Sequence, residues 1–253
     1  MINRLLLLVI FASFNVSALN SIIVCAEDKA YPPILNGKSF SPEQNPGLIV
    51  DVLLQAAHRL HLDIKLIRRP WERCKQMVKQ GKSHALMPMI KTDSRAKEFS
   101  FPSNPLYLAQ FDYYVYFNKL HKHKTLLSEL NQRTQISQHE RLKLELGVSA
   151  PRGYVSYKKL NNMNLLPKQT YSLEHAMQVL AINKLDGFVF EGNIANAKLK
   201  SLQLHETVIA GQQPFMSERL YLVFNKRFYQ QHKTTIDKYW LNIRDERMLI
   251  FGN

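Results

Sequence analysis

The chain has 253 residues, of which 45% are apolar and 21% charged, an ordinary globular balance that excludes a disordered or collagen-like polypeptide and allows one large or two small domains. Two cysteines exclude a disulfide-dense scaffold and a four-thiolate zinc site. A net charge of +14 would point to nucleic acid, but the first twenty residues argue for another destination.

Residues 1–18 open with a short basic end at Arg4. An apolar run from Leu5 to Phe14 follows, then small residues up to Ala18. The run is too short to cross a hydrocarbon core as a helix. It is read as a cleaved secretory signal, with a bacterial periplasmic destination and a mature chain without an anchor. Removing it takes only Arg4 from the charge. An exported protein meets little nucleic acid, so the excess is a solvated surface or an attraction for anionic ligands. An oxidising compartment also makes Cys25 and Cys74 a candidate disulfide rather than a metal or catalytic pair.

Ser21 to Cys25 is a short β-rich run, followed by a turn at Tyr31-Pro32-Pro33. After Gly47, Ile49, Val52, Leu53, Ala56, Ala57 and Leu60 recur on one helical face. Asp63 to Arg69 alternates as a strand. Pro70 then opens a second helix carrying Trp71 and Cys74, with Gly81 in the stop position. Ala85 to Ile90 is a further strand. Strand–helix–strand–helix–strand at these lengths predicts a parallel α/β sheet.

A second α/β block contains Leu146-Gly147-Val148, a turn at Ser149 to Gly153, a helix capped by Ser172, and the strand Leu185 to Phe190. Phe111 to Phe117 and Arg219 to Phe224 are strand-like crossings far apart in sequence. They suggest a chain that leaves one lobe and returns to it. Tyr229 to Leu249 reads as a closing helix and His121 to Glu145 as polar and irregular. His121 and His123 lack a third ligand at metal spacing and are read as solvated. No Gly-rich nucleotide loop and no G-x-S-x-G occurs. No cofactor, metal or catalytic residue is expected.

In this order and spacing, several motifs resemble the family 3 extracellular solute-binding proteins, which have the type II periplasmic binding protein fold. They are Tyr31-Pro32-Pro33, Gly47, Pro70-Trp71, Gly81, Thr92-Asp93-Ser94-Arg95, Phe99-Ser100-Phe101-Pro102 and Leu185-Asp186-Gly187 before Glu191. The resemblance covers nearly the whole mature length. It implies two α/β lobes, each a mixed or parallel sheet flanked by helices, with a ligand cleft between them. Residues 19–106 and 214–253 would form lobe one and 107–213 lobe two.

By the same resemblance, Arg95 would grip a ligand carboxylate and Glu191 an ammonium. Asp28, Tyr31, Trp71, Thr92, Ser149, Arg152 and Gly153 are further candidate ligand contacts. Two positions depart from the family pattern. Ile90 stands where a carboxylate-binding Thr is usual, and Pro88 where Gly is usual. The expected function is capture of an amino acid or related carboxylate by a monomer, delivered to an inner-membrane ABC permease or sensor. The alternatives are a dehydratase-like enzyme on the same fold and a sensing protein that docks to a membrane partner. With nothing appended after Asn253, a fused catalytic domain is not expected.

Overall fold

The computed structural model describes residues 19–37, 45–103 and 105–252; the expected signal segment lies outside them. In chain order the elements are β1 (Ser21–Glu27), α1 (Leu48–His58), β2 (Asp63–Arg69), α2 (Trp71–Lys79), β3 (Ala85–Ile90), α3 (Asp93–Glu98), β4 (Phe99–Ser100) and β5 (Ala109–Asn118). The second block adds α4 (Lys124–Ser128), α5 (Gln138–Leu142), β6 (Val148–Ser149), α6 (Val155–Asn162), α7 (Leu173–Ala181), β7 (Gly187–Glu191), α8 (Gly192–Ser201) and β8 (Val208–Ala210). The chain closes with β9 (Met216–Asn225), α9 (Lys226–Gln231) and α10 (Lys233–Phe251).

The strands run β2-β1-β3-β9-β5-β7-β6 in one curled sheet. β1 is parallel to both β2 and β3, and β6 is parallel to β7. Each parallel group needs crossover helices, which is why the amphipathic segments fall between its strands. The two groups are joined by β5 and β9, the long crossings, which pair antiparallel from Ala109↔Leu220 to Tyr113↔Met216.

The first core forms where α1 buries Ile49, Val52, Leu53, Ala56 and Ala57, the face its spacing announced. The returning α10 covers it with Ile236, Tyr239, Trp240 and Ile243. Polar atoms on this face are satisfied as burial demands: the Tyr239 hydroxyl donates to the Leu53 carbonyl at 3.0 Å, and the Trp240 indole to Leu222 at 2.9 Å. The second core packs Met177 and Leu180 of α7 and Ala195 and Leu199 of α8 around Tyr116, Phe188 and Phe190. Gly47 precedes α1 at φ 107°, and a Cβ there would lie 2.6 Å from the Ile34 carbonyl oxygen. Only glycine lets the Tyr31–Leu35 turn close onto the start of α1.

Four local readings are corrected. The closing helix breaks at His232 into α9 and α10. The strand expected at Leu146 to Val148 shortens to Val148–Ser149, because Gly147 takes φ 81°. The irregular stretch after His121 holds α4 and α5, the latter closed by a capping box between Ser137 and Glu140.

His121, fourth, is buried rather than solvated. Its Nε2 lies 2.9 Å from Asp186 Oδ1, and its Nδ1 accepts the His123 amide at 3.1 Å. Because Nδ1 accepts, the proton sits on Nε2 and is donated to the carboxylate. The other Asp186 oxygen takes the amides of Leu146 and Gly147 at 2.8 Å each. The pair pins the start of the β6 turn to β7.

Candidate functional site

The carboxyl ends of β1 and β3, the Tyr31–Leu35 turn and the first residues of α2 face Tyr154, Val155, Phe190, Glu191 and Ile194 of the second block. Together with Phe111, Tyr113 and Leu220 on the crossing strands, they enclose a cleft of about 80 Å³. Ligand sites in α/β sheets favour such a place beyond the strand ends.

Arg95 stands one turn into α3, whose start is fixed by Thr92 accepting the Arg95 amide at 3.3 Å. Its guanidinium turns into the cleft. Nη1 donates to the Ile90 carbonyl at 2.9 Å, and Nη2 reaches the second block at the Gly153 carbonyl, 3.1 Å away. Both acceptors are neutral. Among the described residues no ion pair involves Arg95. Burial pulls its pKa below the usual guanidinium range, offset in part by Glu72, Tyr113 and Glu218. The Trp71 ring lies 5.9 Å from the guanidinium carbon. The indole Nε1 is buried with no hydrogen-bond partner, an orphan donor of the kind that native interiors rarely leave.

Glu27, the last residue of β1, is the acid on the near wall. It is 7% exposed. Tyr154 donates to its Oε2 at 2.7 Å, while the Tyr31 and Tyr154 hydroxyls lie 3.4 Å apart. Those hydrogen bonds, with Arg95 to Gly153, tie the two blocks across the cleft. Phe190 packs beside both tyrosines. Burial pushes the Glu27 carboxyl above its ordinary value; Tyr154, Lys29 and Tyr31 pull it down, and Asp28 pushes it up. Arg68 lies close enough to be influenced by Glu27.

A raised carboxyl pKa means the folded protein holds this proton more tightly than the unfolded chain. Stability from this group is therefore complete below the ordinary carboxyl value and is lost as pH rises through the raised one. Glu27→Gln imitates the protonated form. Its melting temperature should match the native protein near pH 4.5 and exceed it by a few degrees at pH 8. A difference that stays flat with pH would remove Glu27 from this role.

Glu191 ends β7 and lines the cleft, as its strand-end position suggests, but its carboxylate is committed elsewhere. It caps α8: Oε1 accepts the Asn193 amide at 3.0 Å and the Asn193 side chain at 3.1 Å, and Oε2 accepts the Ile194 amide at 2.8 Å. Tyr31 and Trp71 face the cleft. Gly153 is at its edge and contributes its carbonyl.

The remaining candidates lie apart. Asp28 is half-buried beyond the strand end, one residue past Glu27, and does not line the cleft. Arg152 is exposed. Ser149 is wholly buried, its hydroxyl without a partner. Thr92 lines a separate open hollow with Lys91, Asp93, Gln110, Ser217, Glu218, Arg219 and Tyr221.

Sequence reasoning passed over Glu27 and Tyr154. Extending the β1 alternation by two residues would have found Glu27, while Tyr154 carried no signal. Cys25 and Cys74 are joined in a disulfide with Cα atoms 5.5 Å apart. Among the described residues no group of three His, Cys, Asp or Glu side chains is placed to hold a metal ion.

No family model matches the sequence, and no curated protein matches it. Solved structures do. An arginine-bound mutant of ArgBP from T. maritima superposes with a TM-score of 0.65 at 13% identity, covering 89% of this chain and 95% of that one. The GluR0 ligand-binding core from Nostoc punctiforme, in complex with L-glutamate, gives 0.64 at 14% identity, covering 92% of this chain and 100% of the other. This chain has the two-lobe periplasmic binding protein fold. The same fold is seen in the ancestral amino-acid-binding protein AncCDT-1, a precursor of cyclohexadienyl dehydratase, with a TM-score of 0.63 and 16% identity over 89% of this chain and 90% of that one. The cleft around Arg95 lies where β5 and β9 join the two parallel groups of strands.

Proposed function

We propose that this protein is a solute-binding protein that captures a small carboxylate-bearing metabolite, an amino acid or related acid, between its lobes. Lobe one comprises residues 19–106 and 214–253, and lobe two residues 107–213. The observation that carries the reading is the Arg95 guanidinium, half-buried in the cleft and hydrogen-bonded to neutral carbonyls. A desolvated cation costs free energy until an anion meets it, and the planar fork suits two parallel hydrogen bonds from one carboxylate.

A ligand gripped by Arg95 that also touches the Tyr154 side of the cleft favours the closed arrangement over an open one. The solved structures that share the fold carry bound arginine and glutamate, which supports a small-molecule ligand. The apolar N-terminal run and the Cys25–Cys74 bridge suit a bacterial periplasm. There a monomer would hand its ligand to a membrane permease or sensor. No helix among the described residues is long and apolar enough to cross a membrane.

Thermal melting with amino acids, polyamines, organic acids and small sugars tests this. A ligand at a hundred times its Kd stabilises by about 2.7 kcal/mol, roughly 5–10 °C for a chain of this size. At least one carboxylate should give such a shift, and flat curves across the set would end the proposal. A second reading, a dehydratase-like enzyme, is favoured by one observation: Glu27, an acid whose burial favours its proton, shares the cleft with Arg95. A general acid could be set this way. Incubation with prephenate or arogenate would yield an aromatic product under this reading and none under the first.

A further inference from the structure

We infer that the ligand of this cleft is a monocarboxylic acid with an apolar body and no ammonium group beside the carboxylate. The inference rests on the solute-binding reading and narrows its ligand class. Donors come first. Arg95 and Trp71 line the same cleft, with the guanidinium carbon 5.9 Å from the indole ring, and the indole Nε1 is buried without a partner. Both seek oxygen acceptors, and one carboxylate supplies them.

An ammonium would need acceptors in the same place, and most of these already receive a donor. The Ile90 and Gly153 carbonyls receive Arg95. Glu191 receives two amides and the Asn193 side chain at the start of α8. Glu27 Oε2 receives Tyr154 at 2.7 Å and its Oε1 lies 3.9 Å from the Lys29 ammonium, while burial pushes that carboxyl above its ordinary value. Ile90 and Pro88 meet the cleft with hydrocarbon, so β3 presents no side-chain oxygen there. A buried ammonium without acceptors is strongly disfavoured.

The rest of the wall is apolar: Ile34, Leu35, Ile49, Phe190, Ile194 and Leu220. At roughly 10–15 Å³ for each water-sized position, a cleft of about 80 Å³ suits a short branched or phenyl-bearing acid.

Two matched pairs test the inference by titration calorimetry at pH 7: 4-methylpentanoate against L-leucine, and 3-phenylpropanoate against L-phenylalanine. At least one acid should bind, at least about tenfold more tightly than its amino partner. Trp71→Phe, which keeps the ring but removes the N–H, should weaken that acid about fivefold or more. An amino acid that binds as tightly as its matched acid overturns the inference and leaves the solute-binding reading standing. Failure of all four, while another solute of the melting panel binds, overturns it in the same way. If nothing in the panel binds, both fall together.

Discussion

Arg95→Gln should cost the best ligand of the panel at least about 30-fold in affinity while leaving the ligand-free melting temperature unchanged or slightly higher. The first half follows from removing one member of a desolvated, charge-assisted pair, which typically costs about 2–5 kcal/mol; 2 kcal/mol alone is roughly 30-fold. The second half separates a binding residue from a structural one. Without ligand, Arg95 is a half-buried charge whose hydrogen bonds go to the Ile90 and Gly153 carbonyls, and burial is the largest cause of its lowered pKa. A neutral amide can still donate to one carbonyl and brings no desolvated charge. Arg95→Lys should fall between the two, because an ammonium keeps the charge but loses the two-pronged geometry. Calorimetry and melting curves on the same samples decide it. Affinity within threefold of the native protein, or a drop of many degrees in the free protein, would show Arg95 to be a scaffold residue.

What could be read from the sequence was whatever is written locally. The α1 face repeats every three or four residues, Pro70 stands just before α2, and Ser172 caps α7 by accepting the His175 amide at 3.2 Å. Each depends on neighbours within a few positions, and so do the placements of Arg95 and Trp71 at element starts. The unread parts depend on distant partners. Tyr154 matters because Glu27, 127 residues earlier, accepts its hydrogen bond. His121 is buried because Asp186, 65 residues later, meets it. Glu191 looked like a free strand-end acid because glutamate is an uncommon helix cap; only the turn of the backbone into α8 shows where its oxygens go. Glu27 was passed over for a different reason. It differs from Asp28 by one residue at a strand end, and side chains there alternate between the sheet faces, so a one-residue error trades a cleft acid for one outside the cleft.

Replacing both Cys25 and Cys74 by Ala should lower the melting temperature by about 5–15 °C. The bridge closes a 49-residue separation between β1 and α2, and the loss of loop entropy in the unfolded chain for such a span is worth about 4 kcal/mol, with typical disulfides giving about 2–4. At roughly 2–4 °C per kcal/mol for a chain of this size, that range follows. Alanine is preferred to serine because both sulfurs lie in a buried cluster with Val78, Leu86, Met89 and Phe99, where a hydroxyl would add its own desolvation cost. The bridge also bears on the cleft. Glu27 lies two residues after Cys25 and Trp71 three before Cys74, so the cross-link holds the acid wall and the indole at a fixed spacing. Reduction of the native protein should therefore lower its melting temperature and, at a temperature where it stays folded, weaken ligand binding by a smaller factor than Arg95→Gln does. A melting temperature within about 2 °C of the native value, in both the double variant and the reduced protein, would mean that packing of α2 on β1 holds this edge of the cleft without the covalent link.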